Sequence, residues 1–103
     1  MNLQSRCQLN LVIPLSLEEQ IIDILLDESP RLQGFLSQQL DSHGPHPIHD
    51  PLEQVRGRTA HIGMQILIDT EAVEPLLARI RADIANPDIR WWTTPVLASG
   101  ELT

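Results

Sequence analysis

The 103-residue chain contains no lysine. Its seven cations are all arginine, against fourteen acidic residues, and the net charge is −7. Phosphate-backbone binding needs clustered positive charge, so no nucleic-acid partner is expected, and no anionic membrane surface. Cysteine occurs once, at Cys7, which excludes an intramolecular disulfide and any multi-cysteine zinc site. No apolar run approaches the roughly 18 residues of a membrane helix, so no direct membrane insertion is expected. Residues 1–5 are polar, and the apolar run at 9–17 is broken by Asn10, Pro14 and Ser16. No signal peptide is visible in that pattern, and a cytoplasmic location is expected. A glycine-rich phosphate loop and a Ser–His or Cys–His constellation are also missing. The paired carboxylates Glu18-Glu19 and Asp27-Glu28 fall on a helix's solvent face and ends, where they suit solvation rather than catalysis. We therefore expect no enzymatic activity and assign no catalytic residue.

What is present suits one small globular domain spanning residues 1–103. At 42% hydrophobic and 20% charged, the composition supports a core rather than disorder. Residues 6–13 alternate, with Cys7, Leu9, Leu11 and Ile13 on one face and Gln8, Asn10 and Val12 on the other. Period two with one apolar face predicts a half-buried strand. Ser16-Leu17-Glu18-Glu19 has the form of a capping box. The apolar stripe of Leu17, Ile21, Ile24 and Leu25, widened by Ile22 and Leu26, predicts a helix that ends near Ser29, before Pro30. A weaker strand follows over 32–40, with Phe35 as its aromatic residue. The clearest strand is 58–69, with Ile62, Met64, Ile66 and Ile68 on one face and His61, Gly63, Gln65 and Leu67 on the other. Asp69 or Thr70 is placed to cap a second helix whose buried stripe is Val73, Leu76, Leu77, Ile80 and Ile84. Pro75 sits near its start, where proline is tolerated, and Arg79 and Arg81 suit the negative end of its dipole. Residues 89–97 predict a last strand. Its adjacent Trp91 and Trp92 must point to opposite faces. One joins the helix-packed core and the other is left on an uncovered sheet face. An apolar patch of that kind marks an interface, so self-association through the open face is expected.

The order strand, helix, strand, strand, helix, strand predicts a ferredoxin-like βαββαβ sandwich, an α+β fold with two helices on one face of a four-stranded antiparallel sheet. Between the second and third strands lies a long loop, at about 41–56. It holds His43, His46 and His49 at a spacing of three, followed by Asp50, together with Pro45, Pro47 and Pro51. Imidazole and carboxylate groups suit zinc, copper(II), nickel or cobalt. In an extended, polyproline-like segment, residues three apart share one side. His43, His46, His49 and Asp50 are thus the candidate metal ligands, with Asp41 and Glu53 as additional carboxylates. The plainer reading is a solvated loop that happens to carry histidines, and clustered imidazoles also suit pH sensing. His61 reads as a structural hydrogen-bonder at a subunit contact, and Cys7 as a small buried hydrophobe.

A domain of this pattern and loop placement resembles the PII-like superfamily of nitrogen-regulatory-type signalling proteins. The nearer resemblance is to a bacterial branch associated with heavy-metal efflux systems. It rests on Gly34-Phe35, on the run Glu53-Gln54-Val55-Arg56-Gly57-Arg58, and on Trp91, Trp92, Pro95 and Val96. The resemblance implies a homotrimer with small-ligand clefts between subunits near the base of the long loop. It implies Gly34, Arg56, Gly57 and Arg58 as cofactor-binding positions, and a metal-efflux membrane protein as a partner. Departures from the PII pattern argue against nucleotide sensing. Ala85-Asn86-Pro87-Asp88 stands where a glycine-rich loop is expected, and the chain has neither lysine nor tyrosine. The function expected is a small regulator binding a transition metal or a transporter through the loop. The alternatives are nucleotide or anion binding in the clefts with the loop as lid, and a protein-interaction adaptor.

Overall fold

The computed structural model describes residues 5–28, 32–43, 59–85 and 88–102. The elements run β1 (Arg6–Pro14), α1 (Glu18–Asp27), β2 (Leu32–Ser42), β3 (Thr59–Asp69), α2 (Val73–Asp83) and β4 (Arg90–Pro95). The order in space is β2-β3-β1-β4, with every neighbouring pair antiparallel. This is the expected α+β sandwich, with β1 and β3 at its centre.

The core follows from strand alternation and register together. Cys7 faces Ile68, Leu9 faces Ile66, Leu11 faces Met64 and Ile13 faces Ile62. All eight side chains are buried. Directly opposed residues share a face, so one side of the central pair is continuous hydrocarbon. The helices cover that side with Ile21, Ile24 and Leu25 from α1 and Val73, Leu76, Leu77 and Ile80 from α2. Ile84, just past the end of α2, is buried with them. Along β2, Leu32 and Phe35 join the core, but Ser37, Gln39 and Asp41 on the same face are exposed. The covered area therefore ends partway along β2, whose distal half carries the chain outward toward the long loop.

Both helix starts depart from expectation. Neither Ser16 nor Asp69 nor Thr70 makes a side-chain cap. Each helix is entered through a 3-10 turn, Leu15–Leu17 and Thr70–Ala72, and the residues preceding α1 and α2 are Leu17 and Ala72. The side chains expected to cap α2 are engaged elsewhere. Asp69 pairs with Arg6 at 3.6 Å. The Thr70 hydroxyl accepts from Ser5 Oγ at 3.1 Å, and the Thr70 amide donates to the Ser5 carbonyl at 3.0 Å. Helix α1 ends at Asp27, and the Glu28 amide closes its last turn on Ile24. Ser29, where its end was expected, lies outside the described residues. Leu26, expected to widen the apolar stripe, is exposed.

Arg79 does more than complement a helix dipole. It donates to Asp27 on α1 and lies 3.6 Å from both Glu28 and Asp83. Its hydrogen bond to Asp27 is the main influence holding its pKa above the ordinary arginine value. A cation with a raised pKa contributes its stability below the ordinary value and loses it only in strongly alkaline solution. The arginine side of this clasp is therefore constant near neutral pH.

Core and surface leucines should separate cleanly. Leu9→Ala should cost about 2–5 kcal/mol through transfer and cavity terms. Leu26→Ala should stay within about 0.5 kcal/mol, as for other exposed positions. Urea unfolding at fixed protein concentration measures both, and equal losses would contradict the packing described.

Candidate functional site

The sheet has a second face, which no helix among the described residues covers. It carries Gln8, Asn10 and Val12 from β1, His61, Gly63, Gln65 and Leu67 from β3, Leu36, Gln38 and Leu40 from β2, and Arg90, Trp92 and Thr94 from β4. Trp92 opposes Asn10 on this face, while Trp91 opposes Leu11 on the helical face. The two indoles thus point to opposite sides, as expected. Neither joins the core, however: Trp91 is 44% and Trp92 48% exposed. Every residue of β4 is exposed, so this short edge strand lies beyond the helices' cover. Leu36 is exposed on the open face, and Leu97 and Leu102 are fully exposed in the extended C-terminal stretch.

Two side chains on the open face are nonetheless buried: Asn10 and His61. Asn10 Nδ2 donates to the carbonyls of Gln8 at 3.3 Å and Trp92 at 3.4 Å. Gln8 Nε2 donates to Asn10 Oδ1 at 2.9 Å. This network supplies the partners that a buried amide requires. His61 opposes Leu40 on one side and Pro14 on the other. Leu40 leans across the neighbouring position: a Cβ placed on Gly63 would lie 2.6 Å from Leu40 Cδ1. Glycine at 63 lets that leucine lie flat over the sheet.

Two clefts flank this surface. One, of about 280 Å³, is lined by Leu15, Gln39, Leu40, Asp41, Ala60 and His61, where the long loop leaves the sheet. The other, of about 370 Å³, is lined by Gln8, Gly34, Phe35, Leu36, Gln65 and Leu67. Gly34 sits where the register of β2 shifts between Leu32 and Phe35, and its φ of 112° is open to glycine at little cost. A glycine inside a strand pattern is the sequence signal for such a bulge. The pairing of Gln8 with Asn10 had no comparable signal.

The expected site residues divide accordingly. Gly34 lines the second cleft. His43 is exposed just after β2, one residue beyond its end. His46, His49, Asp50, Arg56, Gly57 and Arg58 lie outside the described residues, as does Glu53. Among the described residues, no three His, Cys, Asp or Glu side chains converge as metal ligands. Cys7 is a free, buried thiol. No helix among the described residues is long and apolar enough to cross a membrane.

Strand order, antiparallel pairing and helix placement define a ferredoxin-like α+β fold, the fold also seen in PII-like proteins. The chain belongs to the DUF3240 family of proteins of unknown function, which it matches over residues 4–103. It is similar to the crystal structure of a DUF3240 protein from Shewanella baltica, with a TM-score of 0.79, 18% identity and 100% coverage of both chains. It is similar to CPII, a nitrogen regulatory PII-like protein from Thiomonas intermedia bound to ADP, AMP and bicarbonate. There the TM-score is 0.68 and the identity 17%, over 94% of this chain and 96% of that one. It is also similar to the periplasmic divalent cation tolerance protein CutA from Archaeoglobus fulgidus, with a TM-score of 0.70 and 11% identity over 93% and 88% of the two chains. No curated protein matches the sequence. At these identities the likenesses to solved structures establish the fold.

The bulge should be sensitive to a side chain. Gly34→Ala forces a non-glycine residue to φ near 112° and should cost about 1–3 kcal/mol. Gly100→Ala, where a Cβ meets open space, should change stability by less than about 0.5 kcal/mol. Chemical denaturation of both variants provides the comparison, and a neutral Gly34→Ala would contradict the bulge geometry.

Proposed function

We propose that this protein is a cytoplasmic, non-enzymatic PII-like regulator that works as a homotrimer. Copies of the chain cover one another's open sheet faces, and the long loop carries the response. The carrying observation is the half-finished burial of that face. Leu36, Leu67, Val12 and Trp92 stand around two already buried polar side chains, Asn10 and His61. A face that is partly dry in one copy becomes dry when a second closes on it.

In this reading, the ribbon of β2 and β3 delivers the loop away from the core, and His43 begins it at the ribbon's tip. His43, His46, His49 and Asp50 take up zinc, copper, nickel or cobalt. The metal-bound loop then engages a partner, a metal-efflux membrane protein by the family resemblance. The donor chemistry supports this, and so does likeness in fold to a divalent cation tolerance protein. A second reading is favoured by the cleft at Gly34. There a small molecule binds in a site shared between copies, to which Arg56, Gly57 and Arg58 of a neighbouring copy contribute, because within one chain the loop joins the β2–β3 ribbon at the end opposite Gly34. Likeness in fold to a protein bound to ADP, AMP and bicarbonate supports it.

Calorimetric titration of Zn²⁺, Cu²⁺, Ni²⁺ and Co²⁺ into metal-free protein separates these readings. Binding tighter than about millimolar, or about −4 kcal/mol, is expected for at least one ion. It should vanish in a His43→Ala, His46→Ala, His49→Ala triple variant. Undiminished binding in that variant would remove the loop as the metal site.

A further inference from the structure

We infer that the flank of α1 turned away from α2 docks a basic amphipathic helix of another protein. Leu26 is the apolar anchor of this surface, and Glu19 and Asp23 are its charged contacts. It lies on the helical side of the sheet, which stays outward when copies close the open faces. The inference rests on neither the loop nor the trimer.

The position of this flank follows from helix geometry. Ile21, Ile24 and Leu25 are the buried stripe of α1. Asp27 accepts from Arg79 of α2, so the side of α1 that carries Asp27 faces α2. A helix turns about 100° per residue, which puts Ile22 and Leu26 on the opposite flank of the buried stripe. Glu19 and Asp23 are their neighbours on the helix surface. Helix α1 joins β1 to β2 and so crosses β3, and its flank away from α2 looks toward β2. The 3-10 turn that enters α1 places Leu15 in one cleft with Gln39 and Asp41 of β2. There the helical face of β2 is bare, with Ser37, Gln39 and Asp41 exposed. The flank of α1 and the uncovered half of β2 border a trough open to solvent.

The chemistry of the trough selects its occupant. Leu26 is 57% and Leu15 45% exposed, and Ile22 is half-buried. Glu19 and Asp23 are exposed beside them, and Asp41 is exposed across the trough. Neither α1 nor β2 contains a cation. Of the described arginines, Arg6 and Arg79 are paired with carboxylates, Arg81 belongs to α2 and Arg90 to the open face. An anionic membrane surface finds no positive charge here. A second copy offers no matching helix among the described residues, because α1 and α2 both bury their apolar stripes in their own core. The complementary partner is a helix with aliphatic side chains at i, i+4 and i+7 and lysine or arginine on either side of them. It lays its apolar stripe along α1, as helices dock in grooves. Its cations meet Glu19, Asp23 and Asp41, which set its orientation and reject acidic competitors.

The test uses three labelled peptides of about 18 residues, long enough to form a helix. One is a leucine–lysine peptide with its leucines at helical period. The second has the same composition scrambled out of that period, and the third carries glutamate in place of lysine. Each is titrated with the full-length protein and followed by fluorescence anisotropy. The periodic basic peptide should bind with Kd below about 100 μM, at least tenfold tighter than either control. Leu26→Ala should weaken it at least tenfold at an unchanged melting temperature. Glu19→Lys with Asp23→Lys should weaken it as much, while the same charge change on α2, Glu71→Lys with Glu74→Lys, should leave it within threefold. If the Glu19 and Asp23 pair does not fold when replaced, Leu26→Ala decides alone. No binding, equal binding of the scrambled peptide, or undiminished binding to Leu26→Ala would overturn the inference. Equal losses from the two charge pairs would overturn it too, by reducing the attraction to net charge.

Discussion

Among the described residues, only one of the two faces of this sheet has a helical cover, and the rest of the structure depends on that asymmetry. Four directly opposed pairs along β1 and β3, from Cys7–Ile68 to Ile13–Ile62, commit one face to the core. Both helices are used on that side. Two connections cross from strand to strand on the same face, so no element among the described residues is left to cover the opposite face. A one-residue slip between β1 and β3 would send the isoleucines outward and the amides inward, so the register is strongly specified.

What the open face does instead is visible in its chemistry. It is neither a solvated polar surface nor a bare hydrocarbon patch. Gln8, Asn10 and Gln65 form a carboxamide zone between Leu36 and Leu67 on one side and Trp92 on the other. Asn10 is already buried and satisfied within one chain. A fixed polar centre with an apolar surround is the pattern of specific interfaces and ligand sites, where the apolar part supplies burial and the polar part selects geometry. The exposure of both tryptophans and of Leu97 and Leu102 extends that pattern to the β4 edge and the chain's last described residues.

Much of the fold was legible in the sequence, and the misses have physical causes. Period two in 6–13 and 58–69 identified the central strands and the facing of every core residue on them. Helical period identified the buried residues of α2. The α2 cap was misread because Asp69 and Thr70 had competing partners, Arg6 and Ser5, that are distant in sequence and adjacent only in the fold. One of the two tryptophans was expected in the core because alternation assigns a face without saying how far the helices extend over it. Of the candidate site, Gly34 was legible from family resemblance, and a glycine within a strand has a local meaning. The cleft beside it was not, because it is assembled from three strands. The histidine tract stood out by composition, but of its members only His43 falls among the described residues.

The central claim is that the face left without helices is closed by other copies of the chain. Sedimentation equilibrium at micromolar concentration tests it most directly. The account predicts a single species of about three times the 11.6 kDa chain mass, dissociating when Leu36 and Trp92 are replaced together by charged residues. A monomer at that concentration, or a trimer indifferent to those replacements, would contradict it.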